Sequence, residues 1–169
     1  IDNARLSYFL SETPDTRFGQ NISLGSYYLN LSSTTPSYSA VDTDHRTVFI
    51  AGYCVNAYGE IQKEQIPAYL LKECKNLDDL ISKTARLAGI FVIFYLEGDK
   101  FYVLPDATAS LQVFYLTDGD TIGIAANDKV LADKYNLSIS DKALKVRAGA
   151  YAPIAPLPND MADYAEIHA

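Results

Sequence analysis

Few side chains in this 169-residue sequence could carry a reaction. Cys54 and Cys74 offer thiols, which act as nucleophiles or metal ligands once deprotonated, but the two lie far apart and in no metal-like spacing. They read as free, buried thiols of a reducing compartment, with a disulfide as the alternative. His45 and Arg46 lead into the strongest strand pattern of the chain and read as a solvent-facing loop. His168 lies among the last residues of the sequence. Asp106 stands between two strand patterns and is followed by the small residues Ala107, Ala109 and Ser110. A carboxylate in such a crossover can accept backbone N–H groups, so Asp106 reads as structural rather than as an acid or base. No residue is therefore assigned a catalytic or substrate-binding role, and no metal site is expected.

The elements around these residues must form from an acidic chain of net charge −7. No Lys/Arg cluster exceeds two residues, so the basic density that neutralises phosphates is missing and a nucleic-acid groove is excluded. An anionic membrane surface is disfavoured for the same reason, and no run of about 20 apolar residues spans a bilayer. A cytoplasmic protein is expected, in which the sequons at Asn21, Asn30 and Asn136 are chance matches. With 13 tyrosines and no tryptophan, the composition favours half-buried sheet faces.

Apolar alternation predicts strands over 4–10 and 23–32, and a polar Ser/Thr/Pro-rich connection over 33–45. The run RTVFIAGYCVNA (46–57) predicts a strand buried on both faces, with Gly52 marking a bulge or close backbone approach. The period then changes. Helices are predicted over 65–75 and 76–89, the second capped by Asn76 and ended by Gly89. An antiparallel meander follows: IFVIFYL, FYVLP, LQVFYLT and TIGIAAN, with hairpin signals at Gly98-Asp99 and Asp118-Gly119. A short helix over 127–136 precedes an extended tail, 148–169, carrying Pro153, Pro156 and Pro158. Helices set apart from antiparallel strands predict an α+β fold.

The stretch RLAGIFVIFYLEGDKFYVLPDATASLQVFY (86–115) resembles the N-terminal glutaminase-type domain of asparagine synthases and related class II amidotransferases. There a helix ends in an L.G.FAF pattern, a hairpin follows, and then D..G..PLYY. Leu87, Gly89, Phe91 and Phe94 occupy the first pattern, and Asp106 with Gln112, Val113, Phe114 and Tyr115 the second. The family usually has Gly near position 109, where this chain has Ala, which suggests a relaxed turn. TIGIAANDKVLA (121–132) looks like the family's next strand and helix, and Asn56, Gly59 and Glu60 loosely echo its Asn-Gly-Glu-Ile signature. The resemblance covers roughly residues 46–135. It implies the four-layer α-β-β-α sandwich of N-terminal-nucleophile hydrolases over 1–147. The tail 148–169 would then connect to an ATP-dependent synthetase domain, with Gly89, Asp106 and Tyr115 as structural motif residues.

In active members of that family an N-terminal Cys attacks the glutamine amide with its own α-amine as base. The contiguous Asn-Gly pair holds the oxyanion. Here residue 1 is Ile, the Asn-Gly pair is not contiguous, and neither Cys54 nor Cys74 can use its own amine. The resemblance thus implies a degenerate, glutaminase-inactive domain of an ATP-dependent amide-forming enzyme, acting as a scaffold or as a partner- or substrate-binding domain. ATP and Mg would belong to the other domain, with no cofactor in this one. The expected partners are that synthetase domain, in the same protein or a second chain, and a peptide or small-molecule acceptor. Two alternatives stay open: an active glutaminase supplying ammonia, whose Cys precedes Ile1, and an unrelated α+β binding module.

Overall fold

A computed structural model describes residues 7–118, 121–141, 144, 164, 167 and 168. The strands are β1 (Tyr8–Ser11), β2 (Gln20–Leu24), β3 (Tyr27–Leu31), β4 (Ser37–Val41), β5 (Thr47–Asn56), β6 (Leu87–Glu97), β7 (Lys100–Pro105), β8 (Phe114–Asp118) and β9 (Thr121–Ala125). The helices are α1 (Ile66–Glu73), α2 (Leu77–Thr84) and α3 (Asp128–Tyr135), with a short 3-10 turn at Lys63–Gln65. The fold is α+β with two antiparallel sheets, ordered β2-β3-β1-β9-β8 and β4-β5-β6-β7. Contacts divide the described residues into two units, one formed by 7–33 with those from 112 onward and the other by 34–111.

In the second unit β5 is central and pairs with β6 over its whole length, from Thr47↔Leu96 to Asn56↔Leu87. Val48, Ile50 and Cys54 of β5 and Phe91, Ile93 and Tyr95 of β6 share a core with Ile66, Leu70 and Leu71 of α1 and Leu80 of α2. Phe49, Ala51, Val92 and Phe94, on the opposite face, are also buried, which explains why the sequence lacks polar alternation here. Pro67 sits in the first turn of α1, where its missing N–H costs nothing. The Asn76 side chain caps α2 by accepting from Asp79 N–H at 2.9 Å.

The expected four-strand meander is split, its first two strands, β6 and β7, lying in one sheet and its last two, β8 and β9, in the other, and three further expectations are corrected in local detail. The predicted second helix stops at Thr84, and Gly89 lies inside β6 rather than ending a helix. β5 offers a backbone partner as far as Asn56, and that pairing takes residues 87–90 into the sheet. Ser37–Val41 is a strand rather than a connection, because backbone bonds to β5 suffice at an edge where propensity is weak. The single strand expected over 23–32 is a hairpin, bent at Gly25 with φ of 63°.

In the first unit β1 lies between β3 and β9. Phe9, Phe114 and Ala125 pack with Val130, Leu131 and Ala132 of α3. Tyr8, Leu10, Leu29 and Leu31, on the other face, are fully buried. Asn127 caps α3 by accepting from Lys129 N–H at 2.8 Å, and Asn136 ends it in the left-handed conformation. Residues 4–6 of the first expected strand, Gly119, and the 147/148 boundary lie outside the described residues. Of the expected tail, Tyr164 and Ile167 pack against the α3 core and His168 forms a β-bridge with Tyr115.

Candidate functional site

Asp106 gathers the polar groups of Thr108 and Ser110 at the crossover after β7. Asp106 is 5% exposed, and its carboxylate is surrounded by donors. Oδ1 accepts from Thr108 N–H at 3.0 Å, Thr108 Oγ1 at 2.7 Å and Ser110 N–H at 3.1 Å. Oδ2 accepts from Leu111 N–H at 3.3 Å and, at 3.4 Å, from Phe91 N–H of β6. Burial pushes this carboxyl up, but the Thr108 hydroxyl and the surrounding N–H groups outweigh it and hold the acid below the usual carboxylate range. An ionised acid with every lone pair engaged ties the crossover to β6; it has no capacity left for proton transfer.

Ala109 completes the crossover. Its N–H donates to the Asp106 carbonyl at 2.9 Å and its φ is 48°. The turn is therefore not relaxed by the missing glycine: alanine has been placed in a conformation that a glycine would adopt without strain.

The region of Asn56, Gly59 and Glu60 forms a closed turn. Asn56 Oδ1 accepts from Tyr58 N–H at 2.9 Å, and the Asn56 carbonyl accepts from Gly59 N–H at 3.0 Å. Gly59 has φ of 69°, and Glu60 is exposed. The backbone donor that an oxyanion would need is committed within the turn itself.

The thiols are equally unsuited to attack. Cys54 and Cys74 are both free and buried. Burial pushes the Cys54 thiol up to about 12, and it raises Cys74 as well. Both are protonated at neutral pH, and a protonated thiol is a poor nucleophile.

Arg46 departs from the loop role read from sequence. Nε donates to Asp42 Oδ2 at 2.7 Å, Nη1 to the Cys74 carbonyl at 2.7 Å and Nη2 to the Leu71 carbonyl at 3.0 Å. The guanidinium thus joins the β4–β5 turn to the carbonyl end of α1, where positive charge is favoured. Burial opposes its charge, and Asp42, joined by Tyr95, more than restores it. Two open depressions of about 330 and 320 Å³ flank Arg46, but its donors are consumed by the fold. No composition signal separates a capping Arg from a solvated one, so its role was hidden until α1 was placed. His45 lies beside it in the turn, exposed, with φ of 60°.

Beyond Gly52 the face of the β5–β6 ribbon opposite the helices becomes exposed. Tyr53, Val55 and Ile90 are 58%, 52% and 45% exposed, with Tyr53 directly opposite Ile90. Tyr115, the last motif residue, lies on edge strand β8, and its ring stacks on His168 at 5.0 Å. Gly89 lies in β6 and Asp106 in the crossover after β7, both in the second unit, and Tyr115 lies in β8 of the first. Among the described residues there is no cluster of His, Cys, Asp and Glu able to hold a metal ion. None of the described helices is long and apolar enough to cross a membrane. No family model and no curated protein matches the chain.

Proposed function

We propose that this chain is a glutaminase-inactive, amidotransferase-like domain of an asparagine-synthase-related, ATP-dependent amide-forming enzyme of the cytoplasm. The observation that carries the reading is Ala109, which takes a glycine-type conformation directly after Asp106, at the position where the resembled pattern has glycine. The α-β-β-α sandwich of N-terminal-nucleophile hydrolases is the matching architecture. Its support is that helices cover one face of each antiparallel sheet while side chains on the opposite faces are buried too.

Loss of glutaminase chemistry is supported by the protonated buried thiols and the self-satisfied Asn56–Gly59 turn. The domain then serves as a scaffold or partner- and substrate-binding module. The synthetase domain supplies the ATP and Mg chemistry, since no Gly-rich phosphate loop occurs in this sequence. The exposed Tyr53, Val55 and Ile90 offer such a partner an apolar face. The acceptor on this reading is a peptide or small molecule, with its class left to the companion domain.

The test has two parts. Ammonia release from glutamine is expected to stay at background, with Cys54 and Cys74 resisting thiol reagents until the chain unfolds. Turnover abolished by a thiol reagent would overturn the inactive assignment. A crystal structure lacking stacked twin sheets between helical layers would overturn the amidotransferase relationship itself.

A further inference from the structure

Among the described residues, the sheet of the second unit ends in two edges of different character. β7 begins at Lys100 and ends at Pro105, and a lysine and a residue without an N–H are common guards of an open edge. β4 has neither: it runs Ser37, Tyr38, Ser39, Ala40, Val41. The Gly52 N–H donates to the Pro36 carbonyl at 2.8 Å, and the Asp42 N–H donates to the Arg46 carbonyl at 3.1 Å. Strand alternation therefore turns the backbone groups of Tyr38 and Ala40 toward β5, and those of Ser37, Ser39 and Val41 away from it. Ser39 is exposed, and Val41 is 62% exposed. The side chains of Tyr38 and Ala40 lie on the helix side of the sheet and pack against the core beneath α1. Beside Ala40 lies the open depression of about 320 Å³ whose lining includes Val41, Ala68, Leu71 and Lys72.

We infer that β4 is a dimerisation edge, pairing antiparallel with β4 of a second copy of this chain about a two-fold axis at Ser39. The edge is complementary to itself in backbone, shape and charge. With Ser39 opposite Ser39, Ser37 of each copy lies opposite Val41 of the other, so the outward N–H groups all meet carbonyls. Tyr38 then stands opposite Ala40 in a non-hydrogen-bonded pair, where side chains come closest. A large ring meets a methyl group, and the depression beside Ala40 gives the ring room. The two ends of the strand also differ in charge. Near one end Lys63 holds its ammonium 6.0 Å from the centroid of the Tyr38 ring. In the turn at the other end the exposed Asp44 stands beside the Asp42–Arg46 pair. Antiparallel pairing brings each Lys63, held only by a loose 3.8 Å pair with Glu64, to the Asp44 turn of the other copy. A foreign strand would have to match all of these features, whereas a second copy does so by symmetry. The two sheets become one continuous sheet, with α1 of each copy on the same side. This inference is independent of the amidotransferase reading, since it rests only on the second unit.

The experiment uses the full chain. Sedimentation equilibrium is expected to show a dimer that dissociates on dilution. Ser39→Lys sets two ammonium groups opposite each other at the axis, and it should weaken the dimer at least tenfold while leaving the far-UV spectrum of the diluted monomer unchanged. A chain that stays monomeric at every concentration, or a dimer that Ser39→Lys leaves intact, would overturn the inference. A second variant keeps the test independent of how Ser39→Lys folds. Ser39→Cys should close to a disulfide-linked dimer under mild oxidation, because the two thiols face each other across the axis. The parent, whose own thiols are buried, and Asp99→Cys, exposed in the turn between β6 and β7, should not. Equal cross-linking of Asp99→Cys, or none of Ser39→Cys, would place the contact elsewhere and overturn the assignment.

Discussion

Ala109 donates its N–H to the carbonyl of Asp106 at 2.9 Å while holding φ at 48°, so the residue that closes the crossover is also the one least suited to its conformation. The left-handed region costs an L-residue with a Cβ roughly 1–2 kcal/mol, whereas glycine there costs only the extra freedom of the unfolded chain. Ala109→Gly is therefore expected to stabilise the chain by about 0.5–1 kcal/mol, read as a higher urea midpoint at unchanged slope. A destabilised variant would show that the Ala109 methyl contributes packing that outweighs the strain.

Asp106 holds the same crossover electrostatically. In Asp106→Asn, one acceptor oxygen becomes an amide donor facing either the Leu111 N–H or the Thr108 and Ser110 groups. The expected loss is about 2–3 kcal/mol. The pH dependence follows from the depressed folded pKa: the stabilisation is present above the unfolded value of about 4 and is lost as pH falls through the folded one. The variant should lose part of the acid limb of the stability profile. Asp15 and Asp42 are also held low, so some acid sensitivity remains. An unchanged acid limb would contradict the assignment.

Gly52 and Gly89 fix how closely β5 and β6 approach. Gly52 has φ of 110°, and a Cβ there would run into the Ile90 carbonyl and Phe91 Cα. Gly89 has φ of 135°, and a Cβ there would meet the Tyr53 carbonyl. Gly52→Ala and Gly89→Ala are each expected to cost about 3 kcal/mol, combining left-handed strain with overpacking. Both substitutions force the same two strands apart, so the double variant should cost less than the sum. Thermal unfolding of the three variants checks both statements.

Arg46→Lys tests the fork that joins the β4–β5 turn to α1. An ammonium cannot reach Asp42, Leu71 and Cys74 together, so a loss of about 2 kcal/mol is expected in urea unfolding at neutral pH. A loss near zero, typical of exposed ion pairs, would make Arg46 a surface residue in practice.

What the residue pattern revealed, and what it hid, follows from range. The β-branched and aromatic run of β5 and the cap Asn76 act through near neighbours and were readable directly. An acidic residue before small residues likewise announced the kind of crossover found at Asp106. Ser37–Val41 became a strand only because β5 lies beside it, and the Leu87–Ile90 end of β6 was claimed by pairing against its helical period. Arg46 reads as solvated until the carbonyl end of α1 is brought to it. The seating of His168 on Tyr115 depends on a partner remote in sequence, for which no local periodicity gives notice.

The chain order of the two units has a kinetic consequence. Residues 34–111 are contiguous, whereas the other unit is assembled from pieces on either side of them. As the polypeptide leaves the ribosome, β1 can pair with β3 and β4 through β7 can pair with one another before β9 exists, while β1 waits for its second neighbour. The long closure that brings Phe9 beside Ala125 belongs to the slow, non-local steps of acquisition. Pulse-labelled amides of the β4–β7 sheet should gain protection first and those joining β1 to β9 last, leaving the β9-facing edge of β1 open to chaperones for the longest part of synthesis.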